Sequence, residues 1–123
     1  MSPFETFWKI YPHYQARSKK AMSKAIWQAV TTVGHEATVT MDGGRLKLDL
    51  RATPEEIIIG AKAYYMTMET FEYSAGCQVW LNQGRWMDFD DAEEQAERYD
   101  MMKENVRRMI EKKKGEGNIH RLS

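Results

Sequence analysis

The chain has 123 residues, of which 42% are hydrophobic and 29% charged, so it is long enough for one globular domain and too apolar to be disordered. Its formal net charge of zero excludes a surface that is basic throughout and leaves nucleic-acid binding only to a local basic patch. The single cysteine, Cys77, excludes an intrachain disulfide, and no apolar run approaches the roughly 18 residues of a membrane span, so the sequence predicts a cytoplasmic protein.

The first helix is signalled at both ends. Ser2 is a suitable N-cap, Pro3 suits the first helical position, and Glu5 completes a capping box. Pro12 disfavours helical geometry at the residue before it and so predicts the end of the helix. Aromatic residues recur along one face at helical spacing: Phe4, Phe7, Trp8 and Tyr11. Such a stripe is more often core than ligand site, so we expect it to be buried.

A second helix is predicted from Ser18, its N-cap, to about Val33. Its predicted apolar face comprises Met22, Ile26, Ala29, Val30 and Val33. Basic residues crowd its start: Arg17, Lys19, Lys20 and Lys24. Positive charge is unfavourable at the positive end of a helix dipole, which points slightly toward a functional basic patch. A solvated charged face is the commoner role of such a run and stays the alternative. Tyr14 and Trp27 would add aromatic surface for the stacking of nucleic-acid bases.

A β-hairpin is predicted at residues 37–50. Residues 37–41 and 45–50 alternate in the manner of strands, and the Asp-Gly-Gly between them is a turn signal. The alternation places three leucines on one face: Leu46, Leu48 and Leu50. A lone hairpin is marginally stable in water, so this face is expected to lie on the helices or to pair with another chain.

A third helix is predicted from Thr53, where a proline and a capping-box glutamate repeat the start signature of the first helix, to about residue 69 or 71. Its predicted buried face comprises Ile57, Ala61, Tyr64, Tyr65 and Met68. These three helices and the hairpin are predicted to form a compact body over residues 1–87.

The densest apolar segment is Trp-Leu-Asn-Gln-Gly-Arg-Trp at residues 80–86. A short helix or turn is expected to end there at Gly84, in a left-handed conformation. So small a body needs large apolar side chains to close it, so we expect the first tryptophan and the leucine to be buried, and the asparagine to cap backbone groups. The segment is thus predicted to act as a clasp between the body and the last helix, made by Trp80, Leu81, Asn82 and Trp86, with Arg85 stacking or bonding at the junction.

The longest helix is predicted over residues 88–114, with Asp88 or Asp90 as its N-cap. Ion pairs of the favourable i,i+4 order are expected along it: Glu94 with Arg98, and Glu104 with Arg108. A thin apolar seam follows one face: Ala92, Tyr99, Met102, Val106 and Met109. The seam spans little more than two heptads, which leaves a homodimer through this helix open without establishing a coiled coil. Residues 115–123 are predicted to form a flexible tail.

The sequence therefore predicts a mainly α (α+β) protein: a small body of three helices with one β-hairpin insertion, followed by a long C-terminal helix. No P-loop, dinucleotide-binding or nucleophile motif is present, and the three histidines have no mutual spacing typical of a metal site. Cys77 is best interpreted as a structural thiol. We expect no enzyme activity, no metal and no cofactor.

Two motifs carry a resemblance to a known family. Phe-Glu-Thr-Phe-Trp-Lys-Ile-Tyr-Pro stands at residues 4–12, and Trp-Leu-Asn-Gln-Gly-Arg-Trp at residues 80–86, with Lys-Lys-Ala and Thr-Pro-Glu-Glu segments between them. In this order they resemble the C-terminal module of bacteriophage and prophage DNA replication proteins of the replisome-organiser or primosomal type, here without the usual winged-helix domain. The resemblance covers roughly residues 4–88, with the hairpin as an insertion. It implies a protein of phage-infected host cells that binds a helicase, its loader or single-stranded DNA.

Three hypotheses follow. The first is a replication accessory module that binds a replisome protein, single-stranded DNA or both. The second is a phage-encoded inhibitor of a host system, anti-CRISPR-like or replication-blocking, that acts by protein–protein binding. The third is self-association through the last helix. The candidate nucleic-acid or partner-binding residues are Tyr14, Arg17, Lys19, Lys20, Lys24, Trp27, Arg85, Arg107 and Arg108.

Overall fold

The chain folds as the mainly helical α+β protein that the sequence predicts. The computed structural model describes residues 2–122, and their side chains except for residues 39–41 and 114–122. In chain order the elements are α1 (Pro3–Ile10), α2 (Lys20–Thr31), β1 (His35–Met41), β2 (Gly44–Leu50), α3 (Pro54–Thr67), α4 (Cys77–Asn82) and α5 (Ala92–Leu122). Short 3₁₀ turns lie at Phe71–Tyr73 and Arg85–Met87. Within the described residues, no helix combines the length and the apolar character needed to cross a membrane.

Helix α1 begins and ends where its local signals predict. The Ser2 hydroxyl accepts a hydrogen bond from the Glu5 N–H at 3.3 Å, which satisfies one free donor of the first turn. Tyr11 is extended, with ψ of 131°, because Pro12 follows it. The aromatic stripe of α1 is buried as predicted, except that Trp8 is only half-buried. This stripe forms one wall of the core.

Helix α2 begins later than predicted and is not capped by Ser18. Lys19 occupies the N-cap position, and no side chain caps the helix there. The Ser18 hydroxyl is instead engaged with His13 and with the backbone N–H of Cys77. The cap prediction was wrong because a contact 59 residues away in sequence takes the hydroxyl that a local pattern assigns to the helix.

The buried face of α2 is rotated from the predicted one. Its buried residues are Ser23, Trp27 and Val30, whereas Met22 is 56% exposed. Two small side chains meet on this face, because the buried Ser23 of α2 contacts the buried Cys77 of α4. The apolar side chain that a periodicity argument places inside therefore remains in water.

The hairpin is anchored at its open end. β1 pairs antiparallel with β2, with His35 opposite Leu50 and Ala37 opposite Leu48. Ala37 and Leu50 are buried, Leu48 is half-buried and Leu46 is exposed, so burial declines toward the turn. The three leucines share a face as predicted, but only the base of that face contacts the helices.

Helix α3 carries α5 on one side. The predicted capping box is present at Thr53 and Glu56. The Tyr65 and Tyr99 rings meet edge to face at 5.1 Å, and the Lys62 ammonium lies 2.7 Å from the Asp100 carboxylate. Helix α3 ends at Thr67, slightly before the predicted position. Helix α5 is therefore joined to the body by packing along α3, and not only by the segment that precedes it.

Helix α5 begins at Ala92, so neither Asp88 nor Asp90 caps it. The residue just before it, Asp91, accepts hydrogen bonds from Gln95 through its backbone carbonyl and its carboxylate. The predicted ion pairs are confirmed, at 3.2 Å for Glu94–Arg98 and 3.4 Å for Glu104–Arg108. The helical backbone continues to Leu122, past the predicted end. The predicted flexible tail at residues 115–123 lies outside the residues described with side chains and stays a prediction.

Candidate partner-binding surface

Long-range hydrogen bonds fix the connector between α1 and α2. The Arg17 guanidinium donates to the backbone carbonyls of Glu72, at 2.7 Å, and Ser74, at 3.2 Å. It also lies 4.9 Å from the centre of the Tyr14 ring. Arg17 is exposed yet held in one place, because two acceptors and one aromatic face restrain it. Its charge is thereby directed at a defined part of the surface.

Four exposed cations surround the start of α2, and we name them the basic face: Arg17, Lys19, Lys20 and Lys24. The first turn of α2 contains no acidic residue. Lys20 forms one ion pair, 3.2 Å from Glu5, and its ammonium lies 5.7 Å from the centre of the Trp8 ring. The helix dipole adds positive potential at the same end. The basic face is therefore a region of concentrated, exposed positive charge.

A chain of hydrogen bonds positions this face. The Trp8 carbonyl can only accept, so His13 Nε2 donates to it at 2.8 Å, and His13 Nδ1 accepts from the Ser18 hydroxyl at 2.9 Å. The Ser18 oxygen in turn accepts the Cys77 N–H at 3.0 Å. These hydrogen bonds link α1, the connector and α4. Neutral His13 fits these hydrogen bonds, and burial lowers the pKa of this imidazole further than its bond to Trp8 raises it.

The His13 arrangement predicts a loss of stability in mild acid. The unfolded chain takes up the imidazole proton near the ordinary pKa of 6.5, while the folded chain takes it up at lower pH. The unfolded state therefore binds more protons between these values, so the contribution of His13 is complete above 6.5 and declines below it. Urea unfolding at about pH 7.5 and about pH 5.5 measures the slope. His13→Gln should flatten it, and an unchanged slope in this variant would contradict the assignment.

The aromatic side chains predicted for base stacking are not free. Trp27 is 5% exposed, its ring stacked on Phe7 at 5.0 Å and edge-on to Phe4 at 5.8 Å, so it belongs to the core. Tyr14 is half-buried, with Arg17 over its ring. The prediction of Trp27 as a binding residue was wrong, because helical spacing does not reveal which face packs.

An exposed aromatic residue that sequence reasoning missed is Tyr73, which is 78% exposed. It follows Glu72, whose backbone carbonyl accepts a hydrogen bond from Arg17, 55 residues earlier in the sequence. Tyr73 therefore lies in the 3₁₀ turn that adjoins the basic face. No local signal marks it, since its importance depends on that long-range contact.

The segment at residues 80–86 packs into the core, and its two residues predicted to be buried, Trp80 and Leu81, are buried. Trp80 and Leu81 are fully buried, and Trp86 is buried beside them. The Trp80 ring lies 5.5 to 6.2 Å from four other rings, those of Phe7, Tyr11, Tyr64 and Trp86. Gly84 is left-handed, with φ of +62°, as predicted.

One member of the segment, Asn82, differs from prediction, whereas Arg85 bonds and stacks at the junction as predicted. Asn82 does not cap backbone groups but is exposed, with its side-chain oxygen 2.6 Å from His35 Nε2 at the base of the hairpin. Arg85 lies 3.6 Å from Asp88 and stands over the Tyr64 ring at 5.2 Å. The segment thus connects α4 to α1, α3 and the hairpin, while the main attachment of α5 is its packing on α3.

Arg107 and Arg108 lie apart from the basic face. Both pair with Glu104 within α5, at 2.6 and 3.4 Å, and the bond from Arg107 lowers the pKa of that carboxyl. Within the part of the chain described with side chains, no hydrogen bond or ion pair joins them to the basic face. The exposed large apolar residues of α5 are Met101, Val106, Met109 and Ile110. A homodimer through this helix stays a prediction.

A groove of about 290 Å³ lies between α2 and α4, and we name it the α2–α4 groove. It is lined by Met22, Ile26, Gln78, Val79, Asn82 and Gln83. The Gln78 side chain accepts from the Lys19 N–H at 2.8 Å and donates to the Arg17 carbonyl at 3.0 Å. One end of the groove, at Gln78, therefore lies beside the backbone of two residues of the basic face, Arg17 and Lys19.

The one cysteine is buried, and the described residues hold no cluster of metal-ligating side chains. Burial raises the pKa of the Cys77 thiol to about 12, so at neutral pH it is protonated and a poor nucleophile. No three histidine, cysteine or acidic side chains converge on a metal-sized space in the described part of the chain. At the basic face and along the α2–α4 groove, the exposed side chains are cations, amides and apolar groups.

No family model, curated protein or solved structure matches this chain. The resemblance to phage replication proteins therefore rests on the motifs at residues 4–12 and 80–86. In the fold these two motifs form facing parts of one core, where the Phe7 and Trp80 rings stack at 5.9 Å.

Proposed function

We propose that this chain is a non-enzymatic binding module of phage-related DNA replication that acts in the host cytoplasm. Its basic face binds single-stranded DNA or an acidic part of a replisome protein, such as a helicase or its loader. The observation that supports this most is the cluster of four exposed cations at a helix start that has no acidic residue in its first turn.

The charge distribution opposes stability, which favours a functional role. Charges that complement the helix dipole stabilise a helix by about 0.3–1 kcal/mol each at low ionic strength, and charges of the opposite sign at the same end are unfavourable. Helix α5 of the same chain follows the stabilising arrangement, with Glu93 and Glu94 in its first turn. The basic start of α2 is therefore an exception within this protein, and an anionic partner would offset its cost.

The surroundings of the basic face suit both proposed partners. Tyr73 beside Arg17 offers an exposed ring for base stacking, which is the usual companion of cations in single-strand binding. The α2–α4 groove beside Lys19 offers apolar surface, which is the usual companion of charge in protein recognition.

Fluorescence anisotropy with a labelled oligothymidine tests the nucleic-acid half. We expect binding at low salt that weakens as salt rises, because each neutralised phosphate releases about 0.7 counterion on a single strand. The double variant Lys19→Glu, Lys24→Glu should lose most of this binding. Its matched control is Lys112→Glu, Lys113→Glu, which makes the same charge change at exposed positions of α5.

The outcomes separate the proposals. Absence of binding at low salt removes the nucleic-acid half and leaves a protein partner. Equal loss in both double variants would mean that only net charge matters, and the assignment of the basic face would fail.

The exposed apolar residues of α5 favour a second candidate, a phage-encoded inhibitor of a host system that acts by protein binding. This function needs a protein partner that binds without nucleic acid. A single dominant host protein captured by the tagged chain after nuclease treatment, and lost on changing α5 but not the basic face, would favour it over the replication module.

A further inference from the structure

The α2–α4 groove exists because two small side chains bring its helices together. Ser23 and Cys77 are both fully buried where α2 meets α4. Longer side chains next to them line the groove, Met22 on α2 and Val79 on α4. The groove is thus a fixed feature of helix packing between regular elements.

The walls of the groove leave apolar surface in water. Met22 is 56% exposed and Val79 is 42% exposed, while Ile26, one turn after Met22, is half-buried. Apolar side chains on facing walls suit an apolar side chain inserted between them, because all three would then lose contact with water.

The polar groups of the groove are mostly committed to the fold. Gln78 bonds to the backbone of Arg17 and Lys19, and the Asn82 oxygen bonds to His35. These bonds hold the two ends of the groove open in a defined shape. Gln83 presents an exposed amide at the rim, which can bond to a peptide backbone.

Charge complementarity defines the partner. None of the six residues that line the groove is acidic, and its Gln78 end meets the basic face. A ligand that places an apolar group between Met22 and Val79 would therefore bring neighbouring residues beside Lys19 and Arg17, where carboxylates are favoured.

The same lining disfavours single-stranded DNA inside the groove. Bases bind single-strand sites largely by stacking on aromatic rings, and no aromatic residue lines this groove. Tyr73, the exposed ring near the basic face, belongs to a different turn. An oligonucleotide can contact the cations without entering the groove.

We propose that the α2–α4 groove binds a short segment of a partner protein in which an apolar anchor is flanked by acidic residues. The inference rests on the proposed function and names the chemistry of its protein partner. The apolar anchor fills the space between Met22 and Val79, and the acidic residues contact the basic face.

The test selects a library of random linear peptides, displayed on phage, against the full chain. Enriched peptides are made in soluble, fluorescein-labelled form and titrated with the protein. We expect enriched sequences that combine acidic with large apolar residues, and binding that weakens as salt rises.

Two neutral substitutions test the groove itself. Met22→Gln and Val79→Gln each should weaken peptide binding about tenfold or more. The matched controls, Met101→Gln and Val106→Gln on α5, should bind as the unchanged chain does. Thermal unfolding of all four variants checks that each is folded, and all four replace exposed side chains.

Three results would overturn the inference. The first is that no peptides combining acidic and apolar residues are enriched, and the second is that both groove variants bind the enriched peptides as tightly as the unchanged chain does. The third is that the groove variants lose oligothymidine binding as much as they lose peptide binding, which would place DNA in the groove. Oligothymidine binding that depends on Lys19 and Lys24 but not on Met22 or Val79 would leave the proposed function standing when the inference fails. If the unchanged chain binds neither oligothymidine nor any enriched peptide, both the proposed function and this inference are rejected.

Discussion

Replacing Trp80 with alanine should lower the free energy of unfolding by about 3–5 kcal/mol and leave little folded protein. The indole is fully buried and surrounded by four aromatic rings from α1, α3 and the turn after α4. Alanine would leave a cavity where these elements meet, and the elements could fill it only if several of them shifted at once. Urea unfolding, followed by tryptophan fluorescence and circular dichroism, measures the effect.

Two neighbouring substitutions sharpen this prediction. Val79→Ala changes the adjacent, partly exposed residue and should cost far less. Trp80→Phe should fall between, because the Trp80 Nε1 group has no hydrogen-bond partner and phenylalanine loses only volume. A well-folded Trp80→Ala variant that merely fails to bind a partner would show that this residue serves recognition and not the core.

Replacing Gly60 with alanine should destabilise the protein, although alanine is the better helix former. In an exposed helix this exchange gains about 1 kcal/mol. Here a Cβ atom on Gly60 would lie 2.4 Å from Trp86 Cβ and 2.7 Å from Trp86 Cα. The obstacle includes the backbone of the turn and cannot rotate away. Relieving the clash should therefore cost more than the propensity gain, with overpacking of about 1–3 kcal/mol as the scale.

The matched control for helix propensity is Asn105→Ala, at an exposed position of α5. It should leave stability unchanged or raise it slightly. Thermal and urea unfolding of both variants give the comparison. If Gly60→Ala is as stable as the unchanged chain, the turn at Arg85–Met87 moves freely, and its contact with α3 is not a determinant of the fold.

The N-termini of α1 and α3, which carry strong local signals, were predictable from the sequence. At Ser2 and Thr53 the cap and the proline lie within a few residues, so the hydrogen bond that each cap accepts depends on little else. The full capping box forms only at Thr53, because the Glu5 carboxylate pairs with Lys20 and leaves the predicted box at Ser2 half made. Gly84 was predictable for the same reason, because a left-handed position after a short helix strongly favours glycine. The burial of Trp80 followed from its size.

The binding surface was less predictable. The cations at the start of α2 were visible as a cluster, but the role of Trp27 was not, since the same residue type serves stacking or core. The exposed positions of Tyr73 and Val79 beside this surface were not predicted, because each lies next to residues that are far away in the sequence.

The sequence by itself determined the elements, the caps of α1 and α3 and the presence of an aromatic core, because these depend on interactions between near neighbours and on side-chain size. Only the tertiary structure decided which face of α2 is buried, where the Ser18 hydroxyl bonds and which side chains form the α2–α4 groove. Those features depend on contacts such as Ser23 with Cys77, where the volumes of two distant side chains set the distance and rotation between helices. Close packing fixes such details only when all partners are present.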